Sequence, residues 1–174
     1  MWQLVKRWLG LGGTERENAS IDVEAVVGNL SDDSNSSDAL TGVFAFNSHS
    51  VELRIDPDDR TLTECLETAR KLLTCFQEMN NKALSIASER LLLTYNENWR
   101  EYSERLENGS YADVSRPILD RSTFEASIKI SSVRVIGSMV EFMYSDNGLF
   151  HSHSIVVSAF DGLNFSVTNA EICG

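Results

Sequence analysis

SIKISSVRVIGSMVEFMYSDNGLFHSHSIVVSAFDGLNFSVTNAEICG, residues Ser127–Gly174, decides the fold. It contains four apolar, β-branched runs separated by polar junctions. Asp146-Asn147-Gly148 and Asp161-Gly162 suit hairpin turns, because Asn, Asp and Gly tolerate positive φ. The segment therefore predicts an antiparallel meander. A meander of this kind buries one face, so another part of the chain must cover it.

Upstream, the period changes from two to between three and four. Thr61-Leu62-Thr63-Glu64 has the pattern of a capping box. Leu62, Cys65, Leu66, Ala69, Leu72, Leu73 and Phe76 then recur at steps of three and four, which predicts an amphipathic helix ending at Asn80-Asn81. Leu84, Ala87, Leu91, Tyr95 and Trp99 predict a second helix from Lys82 to Glu104, stopped by Asn108-Gly109. A short connection makes the two an antiparallel helical hairpin lying on the sheet. Gly109 to Asp120 reads as a loop, and Ser122 to Glu125 as a single helical turn.

Nearer the N-terminus, Gly42–Asn47 and Ser50–Asp56 alternate as a β-hairpin. Phe44 and Phe46 share its buried face with Val51, Leu53 and Ile55. Pro57-Asp58-Asp59 ends the second strand. Ile21 to Leu30 fits either a strand or a short helix, and Ser31 to Ala39 a polar loop. Residues 1–20 form a short amphipathic segment and linker, and residues 21–174 one α+β domain. Its expected architecture is an antiparallel sheet, made of the N-terminal hairpin and the C-terminal meander, covered on one face by the helical hairpin.

The 174 residues carry a formal net charge of -11, with 42% apolar and 24% charged residues. Such a surface repels phosphate backbones, which argues against DNA or RNA as a partner and favours a basic protein surface. Cys65, Cys75 and Cys173 form no disulfide or zinc pattern, and Cys65 and Cys75 lie roughly 15 Å apart on one helix. The expected compartment is the reducing cytoplasm. Lys6 and Arg7 interrupt the N-terminal apolar run, so it is neither a secretory signal nor a span. Membrane contact through Trp2 and Trp8 is placed below docking of this segment on its own domain.

Two clusters carry what chemistry there is. Tyr95, Asn96, Asn98 and Trp99 combine polar and aromatic groups on the second helix. His151 and His153 alternate on a strand beside Asp146, so both face one side and are the metal-ligand candidates. The interaction or pocket candidates are Tyr95, Asn98, Trp99, Asp146, Asn147 and His153. No catalytic residue and no cofactor is assigned, since GxSxG, GxGxxG and P-loop patterns are missing. The acidic run Asp56, Asp58 and Asp59 caps and solubilises a turn.

Three stretches, LLLTYNENW (Leu91–Trp99), FMYSDNGLFHSHSIVVS (Phe142–Ser158) and AEICG (Ala170–Gly174), make the chain resemble the bacterial domain-of-unknown-function family numbered 2262. The resemblance runs from about Leu40 to the end. The family tends to carry an aromatic and a glycine where this chain has His151 and Ser152, so His153 matches its pattern and His151 does not. The resemblance implies a small α+β domain and no established reaction. By analogy with immunity proteins of bacterial toxin systems, the expected function is a non-enzymatic protein-interaction module that neutralises a toxin by binding its basic domain. The alternative is a small metal-binding protein or hydrolase centred on His153.

Overall fold

The computed structural model describes residues 20–34 and 38–174. The proposed membrane contacts, Trp2 and Trp8, lie outside the described residues. Among those described, no helix is long and apolar enough to cross a membrane.

Alternating burial assembles seven strands into one sheet, in the order β1-β2-β3-β6-β7-β8-β9. Its first part comprises β1 (Ser31–Asp32), β2 (Leu40–Phe46) and β3 (His49–Asp56). The second comprises β6 (Lys129–Ile136), β7 (Met139–Ser145), β8 (Ser154–Ala159) and β9 (Thr168–Cys173). Within each part the pairing is antiparallel, as predicted for the β2–β3 hairpin and the C-terminal meander, while β1 lies in the stretch expected to be a loop. The seam is not: β3 pairs β6 in parallel, Glu52 facing Ser132 and Ile55 facing Val135. Parallel neighbours need a long crossover, and residues 57–128 supply it.

Inside the crossover lie helices α2 (Leu62–Thr74) and α3 (Phe76–Thr94), preceded by α1 (Val23–Gly28) before the sheet and followed by α4 (Arg121–Ser127). The Thr61–Glu64 capping box forms as expected, the Glu64 carboxylate accepting from the Thr61 amide at 2.9 Å. The expected break at Asn80-Asn81 does not occur. The helix axis is interrupted at Cys75, and Asn80 is buried inside α3. Asn80 Oδ1 accepts the Tyr144 hydroxyl at 3.0 Å, which removes the polar penalty that made this position look like a terminus. Helix α2 contacts β3 and β6, whereas α3 contacts β8 and β9.

The second helix is also shorter than expected. It ends at Thr94, and Glu101–Arg105 is strand β4, paired antiparallel with β5 (Tyr111–Ser115). Asn108-Gly109 is therefore the tip of a β-hairpin arm, with Gly109 at φ 82°. Glu101–Arg105 has a single apolar residue, Tyr102, among polar ones and shows no strand alternation, so the helical expectation extends over most of β4, while β5 falls in the stretch expected to be a loop.

Val51, Leu53, Ile55, Val133, Val135, Val140, Phe142 and Ile155 share one core with the helices. Phe76, at the Cys75 break, meets Phe44 edge-on at 4.9 Å and Phe46 at 4.8 Å. Burying each such side chain stabilises by about 1.5–3 kcal/mol.

Candidate functional site

Helix α3 does not end in an α-turn. Tyr95–Trp99 forms a single π-turn, in which Tyr95 is buried and Trp99 half-buried. Widening the helix by one residue changes which side chains face the body. Tyr95 meets Phe150 edge-on at 5.9 Å. Trp99 packs against three rings of one loop: Phe150 at 5.4 Å, His151 at 5.4 Å and His153 at 5.6 Å.

That loop, residues 146–153, is shaped by Asp146. Its carboxylate is buried and accepts from the Gly148 amide at 2.9 Å and the Phe150 amide at 2.6 Å. Asn147, at φ 49°, donates its side-chain amide to the Ser127 carbonyl at 2.8 Å and ties the loop to α4. His151 and Ser152 both take left-handed backbone, φ 56° and 70°. The two histidines therefore do not alternate on a strand. Strand β8 begins only at Ser154, and His151 is exposed while His153 is half-buried. The local reason is the Asp146 carboxylate, which curls residues 147–150 around itself and lengthens what looked like a tight hairpin.

His153 Nδ1 is hydrogen-bonded to the Phe150 carbonyl. A carbonyl only accepts, so Nδ1 carries the proton and a neutral ring leaves Nε2 as acceptor. The ring also packs closely on Gly174, where a Cβ would fall 2.2 Å from His153 Cδ2.

His151 extends the cluster outward. Its ring meets Tyr102, on β4, at 4.5 Å and nearly perpendicular. Arg116 lies 5.1 Å from the other ring's centroid, donates to the Tyr102 hydroxyl at 3.1 Å and also donates to the Gly148 carbonyl. A guanidinium over an aromatic face is held by the ring quadrupole. Arg100 fastens the arm's base: its Nε donates to the Asn96 carbonyl at 3.1 Å, and Nη2 meets Glu101 at 2.5 Å. Asn96 clamps Leu119 through two bonds of 2.9 Å each.

The structure thus brings together Tyr95, Trp99, Asp146, Asn147, His151 and His153. Asn98 stays apart, exposed on the π-turn, and it is Asn96 that bonds the facing loop at Leu119. Tyr102 and Arg116 were missed, since each was assigned to a different element: Tyr102 to a helix, Arg116 to a loop. Among the described residues, no three His, Cys, Asp or Glu side chains converge as a metal-holding group.

These features define an α+β domain with a mostly antiparallel sheet and a β-hairpin arm fixed to it by an aromatic–imidazole cluster. Residues 24–172 match the model of a family described as uncharacterized protein conserved in bacteria (DUF2262), and the chain belongs to that family. No curated protein and no solved structure matches it.

Proposed function

We propose that this protein is a non-enzymatic protein-binding module of the cytoplasm that neutralises a bacterial toxin by occupying its basic domain. The observation that carries this reading is the use made of Asp146 and His153. Both Asp146 oxygens accept backbone amides, and His153 Nδ1 bonds a backbone carbonyl. The Asp146 carboxylate, committed in this way, shapes the loop and is not free to act as a general acid or base, while His153 keeps only Nε2 uncommitted. The net charge of -11 suits steering of a cationic partner. Three free thiols suit a reducing compartment.

In this reading α2 and α3 form the cover of the Val51, Val133 and Phe142 face of the sheet. The face opposite, bearing Glu52, Arg134, Glu141 and Glu171, stays with solvent. Co-expression with any toxin-like product found encoded next to this protein tests the idea. Restored growth and a co-purifying complex are expected; absence of both would overturn it.

A second reading, a metal-binding protein or hydrolase centred on His153, draws on one observation. Nδ1 bonded to a carbonyl is the arrangement that orients metal-ligating imidazoles. Metal content of untagged protein, with and without His153→Ala, decides it. Stoichiometric metal lost in the variant supports this reading, and metal-free protein removes it.

A further inference from the structure

Asn-Gly occurs twice in the chain, at Asn108-Gly109 and Asn147-Gly148. Both pairs lie in turns, both asparagines are exposed, and both glycines have φ 82°. The dipeptide is reactive because glycine has no Cβ to keep its backbone nitrogen away from the preceding side chain. By sequence and exposure the two sites are alike. Their hydrogen bonds separate them.

At Asn147 each group that would react is held. The side-chain amide donates to the Ser127 carbonyl at 2.8 Å, and the Gly148 amide donates to the buried Asp146 carboxylate at 2.9 Å. Arg116 donates to the Gly148 carbonyl as well. At Asn108 the surroundings are open. Residues 106–110 are all exposed, and a Cβ built on Gly109 would meet nothing within 4 Å. The Gly109 amide donates to the Leu106 carbonyl at 2.9 Å, inside the tip of a sheet of two strands. Such a hairpin is marginal in water and opens locally at little cost.

Ser110 adds a second difference. Its amide at 3.0 Å and its hydroxyl at 2.7 Å both donate to Asn108 Oδ1. That oxygen gains negative charge when Cγ is attacked, so two donors aimed at it lower the barrier.

We propose that Asn108 is a site of spontaneous deamidation, with Gly109 supplying the nucleophile and Ser110 donating to the oxyanion, and that Asp146 and Ser127 keep Asn147 from the same reaction. The Gly109 nitrogen gives its proton to hydroxide and attacks Asn108 Cγ. The new N–Cγ bond closes a succinimide, the Cγ–Nδ2 bond breaks, and Nδ2 leaves as ammonia with a proton taken from water. A second water opens the ring at either carbonyl, giving aspartate or β-aspartate. Both products place a carboxylate beside Glu107. The β-linked product also lengthens the backbone inside the turn that the Leu106–Gly109 and Leu106–Ser110 bonds close, which loosens the tip of the arm and leaves the large sheet untouched.

The test incubates the full-length protein in mildly alkaline buffer and follows both Asn-Gly peptides by mass spectrometry, with an isoaspartyl methyltransferase reporting β-aspartate. Asn108 should convert roughly tenfold faster than Asn147, or more. In guanidinium-unfolded protein Asn147 should react at a rate close to that of Asn108, because its restraints are gone. Ser110→Ala should slow Asn108 several-fold; the residue is exposed, so an unchanged urea midpoint confirms that the fold is intact. Equal rates in the folded protein, or faster loss at Asn147, overturn the proposal. A difference that persists in guanidinium overturns the protective role of Asp146 and Ser127. A Ser110→Ala rate equal to the parent's overturns the role given to Ser110.

Discussion

The Tyr144 hydroxyl donates to Asn80 Oδ1 at 3.0 Å, joining β7 to the N-terminal part of α3 inside the core. Both residues are buried, and burial pushes the Tyr144 phenol well above its ordinary range. Tyr144→Phe leaves the Asn80 amide without this partner and should destabilise by about 1–3 kcal/mol. The double variant Asn80→Leu, Tyr144→Phe should recover most of the loss, because no orphaned polar group remains. Urea midpoints of the four proteins in the cycle measure the coupling, and additive losses would refute it.

Asp146 holds the loop that carries the aromatic cluster. Asp146→Ala orphans the Gly148 and Phe150 amides and should cost about 2–4 kcal/mol, with Asp146→Asn in between. The loop also positions His151 and His153 on Trp99. The Trp99 indole resonance should therefore shift in Asp146→Ala even under conditions where the protein stays folded. An unmoved resonance would show that the loop keeps its shape without the carboxylate.

Ser152 occupies left-handed backbone at φ 70°. Glycine takes that conformation without steric cost but widens the unfolded ensemble. The steric relief, about 1–2 kcal/mol, exceeds the entropic loss of about 0.4–1 kcal/mol, leaving Ser152→Gly more stable by about 0.5–1 kcal/mol. A lower thermal midpoint for the variant would mean that the serine side chain contributes more than its backbone costs.

Acid should weaken the fold through three carboxylates. Hydrogen bonds from the Thr61 amide, the Thr123 amide and the Ser166 hydroxyl lower Glu64, Asp120 and Asp161 respectively below their ordinary values. A group with a depressed folded value stabilises above its unfolded value and loses that contribution as pH falls through the folded one. The stability attached to these groups is thus complete above the ordinary values of 4.5 and 3.8 and fades below them. Asp120→Ala should lower the thermal midpoint at pH ~6 and lie closer to the parent near pH ~2. A constant gap across that range contradicts the assignment.

The sheet was legible because its signal is local. Val51, Leu53 and Ile55 alternate within one strand, and Val133, Val135 and Val140 do so across one hairpin; all lie in the core. The Thr61–Glu64 cap was legible for the same reason. What escaped depended on partners distant in the chain. Asn80 resembles a helix end until Tyr144 is brought beside it. Glu101–Arg105 resembles a helix tail until Tyr111–Ser115 pairs with it. The parallel seam joins Glu52 to Ser132, and no window of sequence contains both. At the candidate site Trp99 and His153 were visible as residue types. Their meeting required a π-turn and an Asp146-wrapped loop, neither of which has a periodic signature.

The parallel seam also bears on how the protein could be taken apart. Cleavage at the Asn108-Gly109 tip would leave β1–β3 and the long helices on one polypeptide, and the whole meander on the other. Each piece keeps the other hairpins it can close by itself, and the β3–β6 and β4–β5 ladders and the helix contacts remain to be made between them. Two separately synthesised halves should therefore reconstitute the native molecule on mixing, which would make this domain a ready split reporter.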